Sequence, residues 1–431
     1  MLNKLINSKF KKDILFSYFT QGILLTFGFL NIYLITSYAG IDKYGKYAIL
    51  VSSVGFMSLL LTARSGEAIV KFYNREKIEN NLKKAKVFIS YGFIIDMITA
   101  GLLFLLTYLL SEFIAQHFLK QPDMAQIVVF FSIINVLYFL RGTMEGYLQA
   151  NELFYFFNGL KIVEVVSLSI ILIINFNYVG TGLIDIVNSY VLVGVITFVA
   201  TAIIFSIHYF KEFLNTSASF SKAAFKEYIK FNAITFSSSA LKAGNQNFDN
   251  LILSYFTNPG LVGVYTIIKR FFQPITVAEK PFQTIMYPKL TQLYYEKNLK
   301  LFNVKVLKIT KLLVTIAISY SILVLIFSDF LAELFSLKYT NTFIIIVFIM
   351  FYYIQFPLIW WSRNFSNIIN PMISLYSTSL NTLLQLLLCS IFTYLYGLEG
   401  LVVSLILVKL IIVVYWIYQY KKNIINKINE A

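Results

Sequence analysis

Apolar stretches of about 20 residues recur along the whole chain, separated by short polar turns and cation-rich loops. A helix needs about 20 apolar residues to cross the hydrocarbon core of a bilayer, so each stretch predicts a transmembrane α-helix. About twelve spans are expected, near 13–39, 44–63, 87–110, 124–147, 157–178, 183–208, 231–256, 261–288, 306–328, 339–361, 371–396 and 400–420. The first begins after Lys9, Lys11 and Lys12 and stays apolar to about Tyr38. It is too long for a signal-peptide core and lacks a small-x-small cleavage site, so it is expected to remain as a helix. The pattern predicts an all-α polytopic membrane protein.

Composition agrees, with 58% hydrophobic and only 13% charged residues in 431. Cys389 lies alone in an apolar run, and His117 and His208 sit at span ends, so neither a disulfide framework nor a metal site is expected. The net charge of +15 raises the question of nucleic acid, but its distribution answers it. Cations gather at the N-terminus, after the second, sixth and eighth spans, and at the C-terminus, whereas the intervening loops 177–182 and 257–260 carry none. That alternation fits the positive-inside rule with both termini cytoplasmic, and no nucleic-acid partner is needed to explain it.

The chain also repeats itself. Gly45-Lys46-Tyr47-Ala48-Ile49 and Gly263-Val264-Tyr265-Thr266-Ile267 open the second and eighth spans at an offset of 218 residues. Gly182-Leu183 and Gly400-Leu401, and likewise Lys12 and Lys230, recur at the same offset. The expected organisation is therefore two pseudo-symmetric six-helix lobes, 1–210 and 231–431, joined by a cytoplasmic linker at 211–230. Because six is even, both halves enter from the same side, with a pseudo-twofold axis along the membrane normal and a central cavity between them.

Charges inside the spans mark the candidate site. The seventh span carries Lys242, Gln246 and Asp249 on one helical stripe, and the eighth carries Lys269, Arg270, Gln273, Glu279 and Lys280. A cation at mid-bilayer costs roughly 2.5–3.5 kcal/mol on insertion scales, so such residues face a watery cavity or a partner charge. Several cations in one cavity suit an anionic cargo, with Arg270, Lys242 and Lys269 as its candidate contacts. The competing reading is an internal bridge between Asp249 and Arg270 that holds the hairpin together. In the first lobe, Arg141 with Glu145 (i, i+4) and Lys161 with Glu164 (i, i+3) form two complementary pairs on neighbouring spans, a structural network or a gate. Asp96, about ten residues into the third span with no partner on its own helix, is the candidate proton carrier.

The segment Ala39-Gly40-Ile41-Asp42-Lys43-Tyr44-Gly45-Lys46-Tyr47 resembles the first-loop pattern of the Wzx-type polysaccharide transporters. So do Arg141-Gly142 with Gly146-Tyr147-Leu148-Gln149-Ala150, and Asp249-Asn250-Leu251-Ile252-Leu253 followed by Gly263-Val264-Tyr265. Arg270 with Pro274, and Pro288 ahead of a cationic loop, match the eighth span of that family. The resemblance implies the multidrug/oligosaccharidyl-lipid/polysaccharide (MOP) exporter superfamily, with two six-helix lobes around a V-shaped cavity. It further implies a non-enzymatic flippase in the bacterial plasma membrane that moves an undecaprenyl-diphosphate-linked oligosaccharide, an O-antigen or capsule unit. Expected partners are the lipid-linked oligosaccharide, membrane lipid, and a glycan polymerase and glycosyltransferases. No bound cofactor is expected beyond coupling to a proton or sodium gradient. Given that cargo, a guanidinium at Arg270 suits bidentate contact with a diphosphate.

Two alternatives differ in their chemistry. A cation-coupled multidrug exporter of the same superfamily would favour an acidic cavity, which the cation excess at Lys242, Lys269, Arg270 and Lys409 opposes. A polytopic glycan polymerase or glycosyltransferase would need a long outward loop for its catalytic groups. The largest such loop, 111–124, carries Glu112 and Asp123 without a paired-carboxylate motif, and no P-loop is present.

Overall fold

A computed structural model describes residues 8–429 apart from Arg64, Asn215, Ser219 and Lys338, with the side chains of 8–15, 17, 18, 234–246, 284, 285, 288, 371 and 429 also outside the description. The described chain is helical throughout. In order come α1 (Ser8–Ala39), α2 (Ile41–Leu61), α3 (Ser65–Ile78), α4 (Leu82–His117), α5 (Ala125–Ala150), α6 (Phe154–Tyr178), α7 (Leu183–Phe213) and α8 (Lys222–Phe256). There follow α9 (Pro259–Tyr295), α10 (Leu299–Ile326), α11 (Ser328–Leu334), α12 (Thr342–Ile354), α13 (Ser362–Ile369), α14 (Pro371–Leu384), α15 (Ser390–Tyr420) and α16 (Asn426–Asn429). A 3-10 turn at Pro357–Ile359 sits between α12 and α13, and π-helical turns flank α15.

Nine segments among the described residues are long and apolar enough to cross a membrane. One of them, Met372–Ile428, is two spans, because Gly397 at φ +60° breaks the helix. A left-handed backbone there is accessible to glycine without a Cβ clash. The chain then folds back, with Tyr415 Oη donating to the Ile373 carbonyl at 3.3 Å across the hairpin. The predicted eighth span, α9, falls outside the nine through the charge that marked it in the sequence, and the middle of the seventh, α8, lies outside the described side chains. Short polar loops supply the caps. Asn81, Asn258, Asn298 and Asn370 each accept a backbone N–H from the first turn of the helix they precede. Pro259 and Pro371 occupy the first helical position, where a missing N–H costs nothing.

The second predicted span ends at Leu61, close to the expected residue 63, and the chain resumes as α3, a polar-faced helix reaching Ile78. Its first turn is pressed against α5: a Cβ on Gly146 would lie 2.6 Å from Gly66 Cα, and one on Gly66 would lie 3.0 Å from the Gly142 carbonyl. Small residues four apart let the two backbones meet, as in other membrane helix pairs.

Two compact units emerge, Met1–Ala243 and Gly244–Ala431, dividing within α8, beyond the linker expected at 211–230. The reason is aromatic packing. Tyr228 and Phe231 of α8 pack on Phe72 at 5.6 and 5.5 Å, within a core of Phe72, Tyr73, Phe88, Tyr91 and Tyr147. Tyr91 Oη also donates to the Ser221 carbonyl at 3.0 Å, and Lys86 Nζ to that of Thr216 at 2.7 Å. In the first unit α5 packs on α3, α4 and α7, and α6 on α1 and α7. In the second, α9 packs on α10, α12 and α13, and α15 on α12 and α14, around a core of Trp360, Trp361, Phe365 and Trp416.

Candidate functional site

The charged hairpin of the second unit resolves into two different situations. Asp249, 5% exposed, accepts hydrogen bonds from Lys269 Nζ and from Tyr265 Oη, the latter at 2.6 Å. Tyr265 and Lys269 stand i, i+4 on α9, so one face presents both donors to the carboxylate on α8. The bridge expected between Asp249 and Arg270 is therefore made by Lys269. Arg270 follows Lys269 by one residue, about 100° around the helix, and points elsewhere. It is exposed and donates to Gln273 Oε1 at 2.6 Å, one turn on, and makes no ion pair among the described residues. Lys269 is thus engaged internally, whereas the guanidinium of Arg270 keeps donors to offer. The side chain of Lys242 lies outside the described residues, so that part of the expected trio is not placed.

The first unit holds a cavity of about 600 Å³. A stripe on α5, Tyr138, Arg141, Glu145 and Gln149, faces Phe157, Lys161 and Glu164 of α6 across it. The two ion pairs expected here rearrange into one hub. Arg141, only 7% exposed, reaches Glu164 Oε2 at 3.1 Å and Glu145 Oε1 at 3.4 Å. It takes both carboxylates because its rigid fork presents several donors at once. Lys161 is left without an ion pair among the described residues, its ammonium 4.0 Å from the centre of the Phe157 ring. Tyr190, stacked on Tyr47 at 4.6 Å, also lines this space.

A second cavity of about 430 Å³ shares Tyr138, Glu145 and Gln149 with the first and is walled by Asp96 and the break between α2 and α3. Asp96, without a partner on its own helix, is held by two others. Ser65 Oγ at the start of α3 donates to one oxygen, and the backbone N–H of Thr143 on α5 donates to the other at 2.8 Å. Gly142 makes room for this: a Cβ there would meet Ser65 Oγ at 2.8 Å and Asp96 Oδ1 at 3.3 Å. Tyr138 and Gln149 were missed as site residues, although their 3–4–4 spacing with Arg141 and Glu145 is a polar stripe in an apolar span. Ser65 and Thr143 carried no such signal, since a hydroxyl in a membrane helix usually bonds its own backbone.

At the far end of α3 another network ties the unit together. Glu212 accepts from Tyr73 at 2.7 Å and Tyr147 at 2.6 Å, and pairs with Lys77 at 3.0 Å. Arg75 pairs with Glu227 at 2.7 Å and holds that carboxyl below its ordinary range.

Similarity to known proteins is consistent with this architecture. Residues 10–294 match the model of the family described as polysaccharide biosynthesis protein. No curated protein matches the chain. An inward-facing multidrug resistance MATE family transporter of the MOP superfamily aligns with a TM-score of 0.79 and 14% identity, over 94% of this chain and 96% of its own. The lipid II flippase MurJ in an inward closed conformation aligns at 0.73 with 16% identity, over 95% and 87%. A MOP superfamily transporter from Pyrococcus furiosus, described by the reverse polarity of its binding pocket, aligns at 0.65 with 13% identity, over 95% and 93%. At such identities these likenesses speak for the fold. With the match over most of its length, the chain belongs to the polysaccharide biosynthesis protein family and is a multi-pass membrane protein with the MOP superfamily fold.

Proposed function

We propose that this protein is a flippase for an undecaprenyl-diphosphate-linked oligosaccharide in the bacterial plasma membrane, working by alternating access with both termini cytoplasmic. The observation that carries the reading is the first-unit cavity, whose stripe of Tyr138, Arg141, Glu145 and Gln149 runs along a largely apolar span. A sugar moved through hydrocarbon loses its water, and each unpaired hydroxyl costs free energy. Amide, carboxylate and tyrosine side chains replace that water, and aromatic faces suit the apolar face of a sugar ring. Charges in this cavity are balanced between Arg141, Lys161 and two glutamates, which suits a glycan better than a bare diphosphate.

For the diphosphate, the proposed contact is Arg270 in the second unit, whose guanidinium meets no carboxylate among the described residues. Asp96 is the proposed first-unit proton carrier. Neutralising it would weaken its hold on Ser65 and on the Thr143 N–H, and so loosen α3 from α5 beside the cavity. A glycan polymerase and glycosyltransferases are the proposed partners, supplying and consuming the cargo.

The test is surface glycan display in cells lacking the native gene and carrying Arg270→Ala or the pair Tyr138→Ala/Gln149→Ala. Loss of display at normal protein level, with unchanged resistance to cationic drugs, is expected. Full display in both variants overturns the reading, and lost drug resistance would point to an exporter instead.

A further inference from the structure

Outside the sites above, two charged side chains of the second unit face a problem of burial. Glu279 on α9 is 5% exposed, and its Oε1 has no hydrogen-bond partner among the described residues. It forms no ion pair among them either. Among the described residues, Lys409 on α15 is the charged group within its electrostatic reach, and Glu279 the one within that of Lys409. The lysine does not close on the carboxylate. Its ammonium rests 3.5 Å from the centre of the Phe356 ring, where α12 gives way to the Pro357–Ile359 turn. A cation over a ring face is a substitute for a carboxylate, and a weaker one.

Other ionisable groups described on the packed elements have contacts or exposure of their own. Tyr320 of α10 donates to the Phe271 carbonyl at 2.8 Å, and Tyr353 of α12 stacks on Phe356. Lys280 and Arg363 are exposed. The arrangement is one charge state of two. An ionised carboxylate buried without a partner is costly and draws the nearby ammonium towards it. A protonated one carries no charge, and the lysine is free to settle on the ring.

We propose that Glu279 is a proton-binding site of the second unit, with Lys409 as its alternate partner: the protonated acid leaves Lys409 on Phe356, and loss of the proton brings the two side chains together. Because the pair spans α9 and α15, its making and breaking shifts these helices against the turn that carries Phe356. A metal cation is a poorer occupant, since it needs several oxygen ligands and Lys409 repels it. The inference deepens the transport reading by naming the driving ion, and rests on that reading only for its purpose. Proton binding itself is testable without cargo.

The molecule supplies its own probe. Its three tryptophans, Trp360, Trp361 and Trp416, all belong to the second unit. Trp360 lies one turn beyond Phe356, and Trp416 two turns beyond Lys409 on α15. The experiment is tryptophan fluorescence of the full chain in lipid nanodiscs, titrated from mildly acidic to mildly alkaline pH. A single transition is expected, lost in Glu279→Gln, retained in Asp96→Asn, and moved by about one pH unit to higher pH in Lys409→Gln, where the charge favouring ionisation is gone. Absence of a transition in the native protein, or its persistence in Glu279→Gln, overturns the proposal. If Glu279→Gln does not fold, the Lys409→Gln titration decides alone, and an unmoved midpoint overturns it. Full glycan display in both Arg270→Ala and Tyr138→Ala/Gln149→Ala would overturn the flippase reading and leave this result standing.

Discussion

Lys269 on α9 closes on Asp249 of α8, and in doing so separates two neighbouring cations into different jobs. Lys269 neutralises a buried carboxylate, whereas Arg270, the next residue, is bonded to Gln273 and to no carboxylate among the described residues. Removing one member of such a pair leaves a buried charge alone, at a cost of about 3–5 kcal/mol. Lys269→Ala is therefore expected to lower the thermal unfolding temperature of the purified protein markedly, and Asp249→Asn/Lys269→Met to recover most of it. Arg270→Ala should unfold like the parent. Equal destabilisation by Arg270→Ala and Lys269→Ala would contradict the assignment.

Gly66 and Gly146 bring α3 and α5 into backbone contact. Gly146→Val places a side chain where Gly66 Cα stands, and overpacking of this kind costs about 1–3 kcal/mol. Reduced folded yield and a lower unfolding temperature are expected, whereas Gly101→Ala, with open space at its Cβ, should behave as the parent.

Asp96 bonds a side-chain hydroxyl and a main-chain N–H on two other helices. As the proposed proton carrier, it should give transport that responds to a pH gradient across vesicles, and Asp96→Asn should abolish that response. Vesicles of the variant that answer the gradient as the parent does would remove Asp96 from the coupling scheme. Ser65→Ala removes one donor only, and a partial loss is expected.

Glu227 is held low by Arg75 at the end of α3. A depressed carboxyl contributes stability above its unfolded value, and the contribution is lost as pH falls through its folded value. Both side chains are well exposed, at 38% and 48%, so screening limits the pair to roughly 1 kcal/mol or less. Parent and Glu227→Gln should differ slightly in unfolding temperature at neutral pH and converge in acid. A difference that grows in acid would contradict the pairing.

The internal repeat sharpens what is asymmetric. At the offset of 218 residues, Asn31 stands where Asp249 does, Tyr47 where Tyr265 does, Val51 where Lys269 does and Leu61 where Glu279 does. Asn31 accepts from Ser169 at 2.6 Å, and Tyr47 stacks on Tyr190 in place of a carboxylate. At these positions the second unit carries charge and the first carries neutral packing.

Helical spans, their number, the duplicated plan and the presence of buried charge were all legible in the chain, because hydropathy and period act locally and a bilayer tolerates few other backbones. Arg141, Glu145, Lys161 and Glu164 were recognisable as one cluster for the same reason. Which partners they took was not. Arg141 gathered both glutamates, Lys269 displaced Arg270 at Asp249, and Asp96 found Ser65 and a main-chain N–H on helices far away in sequence. The boundary within α8 also waited on Tyr228 and Phe231 meeting Phe72. Spacing along one helix tells which side chains share a face, but a hydrogen bond between helices depends on their rotation and depth to within an ångström or so. Only packing of the whole unit sets those.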